Sequence, residues 1–145
     1  MAMDRSVVSS STRIRVSSTL DKSVSKKHLF DSSPETCWTS AQGLPQFIHL
    51  IFDDPVAPSS LSLTFQGGFV GIRCAIYTLS THASQLQLLT HVFPEDVNRR
   101  QSFPLDVPSS GITQFKVVFE ESSDFFGRIT VYDMRLDTSL PEPVL

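Results

Sequence analysis

The chain has 145 residues, a net charge of −3 and a 40% hydrophobic composition that includes eleven phenylalanines. That length makes one domain able to bury about 68% of its unfolded surface, and that apolar content excludes a disordered tract. The acidic balance argues against a protein that grips nucleic-acid phosphates directly and against an electrostatic membrane binder, both of which need a basic face.

Residues 1–20 are serine-rich and broken by Asp4, Arg5, Arg13 and Arg15, so they lack the apolar run of a signal peptide. No stretch of 18 apolar residues occurs, so no membrane span is expected. An intracellular protein follows, with Cys37 and Cys74 as two free, buried thiols rather than a disulfide. Residues 1–11 read as a flexible N-terminal arm, 12–137 as the folded domain, and 138–145, with Pro141 and Pro143, as a flexible tail.

Within the domain, Ile14 and Val16 alternate with Arg13 and Arg15, which predicts a strand. Asp21, Lys22, Lys26 and Lys27 form a solvated loop that feeds the stretch from His28 to Thr39. There Asp31, Ser32, Ser33 and Pro34 make a tight turn, and Thr36 and Trp38 alternate with Cys37 as a strand begins. Trp38, the only tryptophan, is expected to seal one end of the core. Asp31 and Thr36 face each other across the turn, which suits either a loop that caps itself or a site for a hard cation such as calcium.

Residues 47–52 are apolar on both faces and predict a central strand, with His49 as a hydrogen-bonded core histidine. Asp53-Asp54-Pro55 makes a turn. Leu61, Leu63 and Phe65 then alternate strictly with Ser60, Ser62 and Thr64 as a half-buried strand. Residues 66–71 form a loop tipped by Phe69 and Val70, and 74–79 and 86–93 are further strands. Pro104 makes 99–105 an edge strand. Residues 113–119 carry Phe115, Val117 and Phe119 on one face. An acidic loop follows from Glu120 to Asp124, ended by Phe125-Phe126-Gly127, and 128–137 is the last strand. About eight strands without helical periodicity predict an all-β antiparallel sandwich or jelly roll, with no helix beyond about two turns.

Catalytic signatures are missing. His28, His49, His82 and His91 show no i, i+4 spacing, the cysteines form no C-x-x-C, and no nucleophile elbow or phosphate loop occurs. The carboxylate pairs Asp53-Asp54, Glu95-Asp96 and Glu120-Glu121 are adjacent and on a strand end point opposite ways. The chain reads as a binding protein, not an enzyme.

The segments Leu29-Phe30-Asp31, Glu35-Thr36-Cys37-Trp38 and Pro45 through Leu50 resemble the discoidin, or coagulation-factor C-type, module. That resemblance implies a galactose-binding-like jelly roll. Lys26 through Asp31, Phe65 through Phe69, Pro94-Glu95-Asp96 and Asp124 through Arg128 resemble, more narrowly, a family of small repressors associated with an orphan nuclear receptor. This implies that the partner is an orphan nuclear receptor, whose transcriptional activity falls because its DNA binding or dimerisation is blocked. It also implies a monomer, nuclear with some cytoplasmic protein, that touches no nucleic acid directly and requires no cofactor.

The wider module implies a calcium beside the turn, with Asp31, Thr36 and Asp133 as ligands and Ser32 standing where the family has glycine. Two alternatives come with it. One is a calcium-stabilised module for a glycan or lipid headgroup. The other is a scaffold subunit of a larger assembly such as intraflagellar transport, one small subunit of which shares the Pro34-Glu35-Thr36-Cys37-Trp38 pattern.

No L-x-x-L-L box is present, because Gln85 stands where the first leucine is needed, so the receptor's coactivator groove is not the expected contact. A receptor DNA-binding region must be basic. The expected partner surface is therefore the acidic rim of Glu95, Asp96, Glu120, Glu121 and Asp124, with Phe69, Phe125 and Phe126 as apolar anchors. The competing reading is that these carboxylates only solubilise the chain.

Overall fold

Period-two alternation puts every second side chain of a strand on one face, so two such strand sets can close over a single core. The computed structural model describes residues 2–141; Met1 and 142–145, the end of the expected tail, lie outside the described residues. Ten strands are present among them: β1 (Ala2–Ser6), β2 (Arg13–Val16), β3 (Trp38–Thr39), β4 (Gln46–Val56), β5 (Ser60–Phe65), β6 (Gly71–Ser80), β7 (Gln87–Val92), β8 (Arg100–Pro104), β9 (Ile112–Ser122) and β10 (Thr130–Pro141). Two short 3₁₀ turns, Lys22–Val24 and Lys26–Phe30, are the helical elements.

One sheet runs β1-β10-β5-β8 with β3 also paired to β10, and the other runs β2-β4-β9-β6-β7. Their pairings are antiparallel. The chain is an all-β, two-sheet antiparallel sandwich, as expected.

Leu61, Leu63, Phe65, Met134 and Leu136 of the first sheet face Ile48, Leu50, Phe115, Val117 and Ile76 of the second, all fully or almost fully buried. Phe119 is central, lying 5.9 Å edge-on from Phe65 and 6.3 Å from Trp38 between ring centroids. Trp38 closes one end as expected; its buried Nε1–H donates to the Ser18 carbonyl at 3.0 Å. Gly71 opens β6 directly against the Phe119 ring, and a Cβ there would overlap ring carbon Cδ1.

The strands expected from alternation are all present, the one expected to begin at Thr36–Trp38 only as the two-residue β3, and the one addition, β1, has a physical cause. β10 continues past 137 and leaves an open edge, which Ala2–Ser6 covers in register from Ser6↔Asp137 to Ala2↔Pro141. The segments expected as arm and tail thus satisfy one another's backbone groups. β3 is a two-residue bridge to Thr130 and Val131. Asp53-Asp54-Pro55 is not a free turn; it is an irregularity inside β4, whose register shifts between Ile51 and Val56.

Three residues sit otherwise than expected. His49 lies on the outer face of β4, half-buried, with Nε2 2.8 Å from Gln114 Oε1. Burial there, helped by the charges of Lys116 and Arg15, disfavours its protonated form. Cys37 is only half-buried, whereas Cys74 is fully buried and its thiol is pushed up by that burial. Val70 is fully buried in the core, so the 66–71 loop has no apolar spike.

Candidate interaction surface

At one end of the sandwich β5, β7 and β9 finish and β6, β8 and β10 begin, so the three connecting loops meet. Gly67 and Gly68 have amides pointing outward from the 66–70 turn. Asn98 Oδ1 accepts the first at 2.9 Å and Asp96 Oδ1 the second at 2.8 Å. The same Asp96 oxygen accepts the Ser123 hydroxyl at 3.2 Å. Ser123 and Val70 exchange two further bonds of 2.9 Å. Side-chain acceptors replace a strand ladder here, which fixes the loops relative to one another.

The 123–128 turn is locked from within. Asp124 Oδ2 accepts the Arg128 amide at 3.0 Å and its Nε at 2.9 Å, and Oδ1 accepts Nη2 at 3.3 Å. This pairing holds the Asp124 carboxyl below the usual carboxylate range. Gly127, at φ +78°, donates to the Asp124 carbonyl, and a Cβ on it would crowd the Gly43 backbone at 3.1 Å. Gly43 in turn donates to the Phe126 carbonyl at 2.8 Å.

The result is an aromatic knuckle. Phe125 is 94% exposed and Phe126 53%, packed edge-to-face with centroids 5.3 Å apart. Arg128 lies over Phe126 at 5.7 Å and over the half-buried Phe69 at 5.1 Å. Exposed Leu44 borders the same turn. Phe93, 63% exposed and stacked on His91, adds an apolar group at the end of β7. Leu44 and Phe93 escaped the sequence reading. Only the parity of β7, with Val92 buried and Phe93 turned out, carried a signal.

The acidic rim is largely neutralised in place. Glu95 pairs with Arg99 at 2.9 Å, and Glu120 with Arg73 at 2.9 Å and His91 at 3.4 Å. Asp124 pairs with Arg128, and Asp96 is occupied by loop donors. Glu121 has no ion-pair partner among the described residues. The predicted anchors and carboxylates share one end of the fold, with Glu95, Glu120 and Asp124 ion-paired and Asp96 and Glu121 held by no cation among the described residues.

Of the three predicted metal ligands, Asp31 and Thr36 bond each other, and Asp133 stands near enough for the Asp31 charge to act on its carboxyl. Thr36 Oγ1 donates to Asp31 Oδ2 at 2.6 Å, and the Ser33 amide donates to Oδ1 at 3.0 Å. These bonds hold the Asp31 carboxyl low, Thr36 first and then Ser33, so the loop caps itself. Asp133 lines a cavity of about 740 Å³ on the outer face of β10, β5 and β8, together with Ser32, Ser33, Arg100 and Tyr132. Its carboxylate has no hydrogen-bond partner among the described residues, and burial raises its pKa against the opposing pull of Arg135 and Arg100. No three His, Cys, Asp or Glu side chains gather in metal-binding geometry among the described residues. None of the described helices is long and apolar enough to cross a membrane.

Fold and surface together define a galactose-binding-like sandwich whose distinctive features are its loops and faces. Solved structures support the fold. A family 32 carbohydrate-binding module of C. perfringens NanJ, solved with galactose, superposes at TM-score 0.76 with 14% identity over 94% of this chain and all of that one. An F5/8 type C domain from Bacteroides fragilis superposes at TM-score 0.77 with 13% identity over 92% and 95%.

By sequence, the nuclear receptor 2C2-associated protein of Danio rerio is 44% identical over 136 residues, covering 91% of this chain and 94% of the relative. The Homo sapiens protein of that name is 41% identical over 138 residues, covering 92% and 96%. The chain belongs to the nuclear receptor 2C2-associated protein family. No protein-family model matches it.

Proposed function

We propose that this chain is a non-enzymatic module that associates with an orphan nuclear receptor through the knuckle of Phe125 and Phe126 and represses its transcriptional activity. The observation that carries the contact is the 94% exposure of Phe125 on a turn locked by Asp124 and Arg128. A rigid, water-exposed aromatic ringed by satisfied polar groups has the anatomy of an interface hot spot. The relatives' shared name supports a nuclear receptor as the partner.

Repression follows if the covered surface is one the receptor needs for DNA binding or dimerisation. A monomer held in the nucleus, with some cytoplasmic protein, goes with this reading. The test is calorimetry with the receptor's DNA-binding and ligand-binding regions taken separately. Replacing Phe125 and Phe126 by alanine should weaken one of them by at least about tenfold while the fold persists. Unchanged affinity for both regions would overturn the assignment of this end.

A second reading rests on the 740 Å³ cavity, where Asp133, Arg100, Tyr132 and Asn98 offer hydrogen-bonding groups to a small polar ligand. The galactose-bound structure of the same fold favours a saccharide. A glycan screen read by ligand-observed NMR, repeated with Asp133→Ala, separates it from the first: receptor binding without any saccharide signal would leave the cavity unused.

A further inference from the structure

Although the chain is acidic overall, its charges are segregated. Arg73, Arg99, Arg128 and Arg135 each pair with a carboxylate. Arg5, Arg13, Arg15, Lys22, Lys26, Lys27, Arg100 and Lys116 have no carboxylate ion pair among the described residues. Five of these eight fall within residues 13–27.

The one acid in that stretch, Asp21, is used locally: its Oδ1 accepts the Ser23 amide at 2.9 Å and the Ser23 hydroxyl at 2.5 Å, capping the first 3₁₀ turn. Between β2 and the two 3₁₀ turns lies a groove of about 610 Å³ lined by the cations Arg15, Lys22 and Lys26, the apolar Val16 and Phe47, and Thr19, Ser25 and the locally bonded Asp21. Lys116 Nζ sits 4.3 Å above the Phe47 ring, adding another cation beside the apolar lining.

β2 is the edge strand of its sheet and, among the described residues, pairs only with β4, so no strand among them takes its outer backbone groups. Arg13 and Arg15 lie two residues apart and so project from one face, matching the spacing of acidic residues at i and i+2 of an extended segment. An added strand would supply main-chain bonds to β2 while its carboxylates meet these arginines.

We infer that the β2 edge and its adjoining groove take an extended acidic segment of a protein partner, with one apolar side chain seated on Phe47. The occupant is argued from charge complementarity, from the period-two match and from the open edge. A phosphate backbone would use the cations but neither the apolar lining nor the strand edge. This surface involves none of the residues of the aromatic knuckle, so the inference stands apart from the receptor assignment.

The experiment is ¹⁵N-NMR titration of the intact chain with a short peptide alternating glutamate and valine around one phenylalanine, beside its lysine-for-glutamate counterpart and a short duplex DNA. The acidic peptide should shift the amides of 13–16, 19–26 and Phe47. Its affinity should fall about tenfold in Lys22→Glu/Lys26→Glu and in Arg13→Glu/Arg15→Glu, and fall with added salt, as expected of charge pairing. Phe125→Ala/Phe126→Ala should leave it unchanged. Shifts confined to other residues, no shift at all, or equal response to the DNA or the basic peptide would each overturn the inference, and the wild-type shift map decides even if a charge reversal fails to fold.

Discussion

Arg128 and Asp124 close the loop that displays the two exposed phenylalanines: one carboxylate oxygen takes both the Arg128 amide and its Nε, at 3.0 and 2.9 Å. Asp124→Asn keeps the shape but loses the charge-assisted bonds, so the turn should loosen and receptor affinity fall although both rings remain. Because the folded-state pKa of Asp124 is depressed, its contribution is present above the unfolded value of about 3.9 and is lost as pH falls through the folded value. Thermal melts of both proteins across pH should therefore differ at pH 6 and converge in strong acid. A constant gap over that range would remove the ion pair as the cause.

Asp133 has the opposite sign. Burial raises its folded-state pKa, so the cost of its charge sets in as pH rises above about 3.9 and is complete above the folded value. Asp133→Asn should raise the melting temperature at neutral pH, by on the order of a degree or two, and leave it unchanged near pH 3. A lower melting temperature at neutral pH would mean that the carboxylate has a stabilising partner in solution.

How far the sequence exposes this molecule depends on whether a signal is local. Strict alternation in Leu61, Leu63 and Phe65 or in Phe115, Val117 and Phe119 reports a pleat directly, and these strands lie where that pattern puts them. β1 is invisible by the same test, because what makes it a strand is the open edge of β10 more than 130 positions away. Phe69, Phe125 and Phe126 were legible as aromatic residues beside glycine. Which of them faces water was not: Arg128 covers Phe69 and leaves Phe125 bare. A composition counts carboxylates without their partners, and Arg73 reaches Glu120 only across the β6–β9 pairing. The basic groove was hidden for the converse reason, a net charge that averages over opposite faces.

Gly71 is a position where a single methyl group meets the centre of the core. Its Cβ would fall on the ring of Phe119, which Trp38 and Phe65 hold from other sides. Gly71→Ala should cost about 1–3 kcal/mol, the range for overpacking a close-packed interior. Gly68→Ala, where a Cβ would meet nothing within 4 Å, separates packing from backbone strain, since Gly68 sits at φ +90° and Gly71 does not. An unchanged stability of Gly71→Ala would show that the Phe119 ring moves aside at no cost.

Gln46 ties the core to the aromatic knuckle. It is 5% exposed, and its Oε1 accepts the hydroxyls of Ser17 at 2.5 Å and Ser18 at 2.7 Å. Its Nε2 donates to the carbonyls of Ala41 at 3.2 Å and Gly43 at 2.7 Å. One amide thus satisfies four groups on two loops. One of those loops carries Leu44 and bonds the Phe126 carbonyl through the Gly43 amide. Gln46→Leu preserves volume and removes every side-chain bond, leaving two carbonyls and two hydroxyls at a part-buried site to find other partners. Loss of about 2–3 kcal/mol is expected, more than a single hydrogen bond because the orphaned groups carry their own desolvation cost. Urea denaturation should show a lower midpoint at an unchanged slope, the mark of altered stability rather than altered compactness. Receptor affinity should fall less than in Phe125→Ala/Phe126→Ala, since Asp124 and Arg128 still lock the turn. A normal midpoint would mean that water replaces the amide at no cost, and an affinity loss as large as that of the double variant would mean that the Gly43 loop, not the ion pair, sets the pose of the rings.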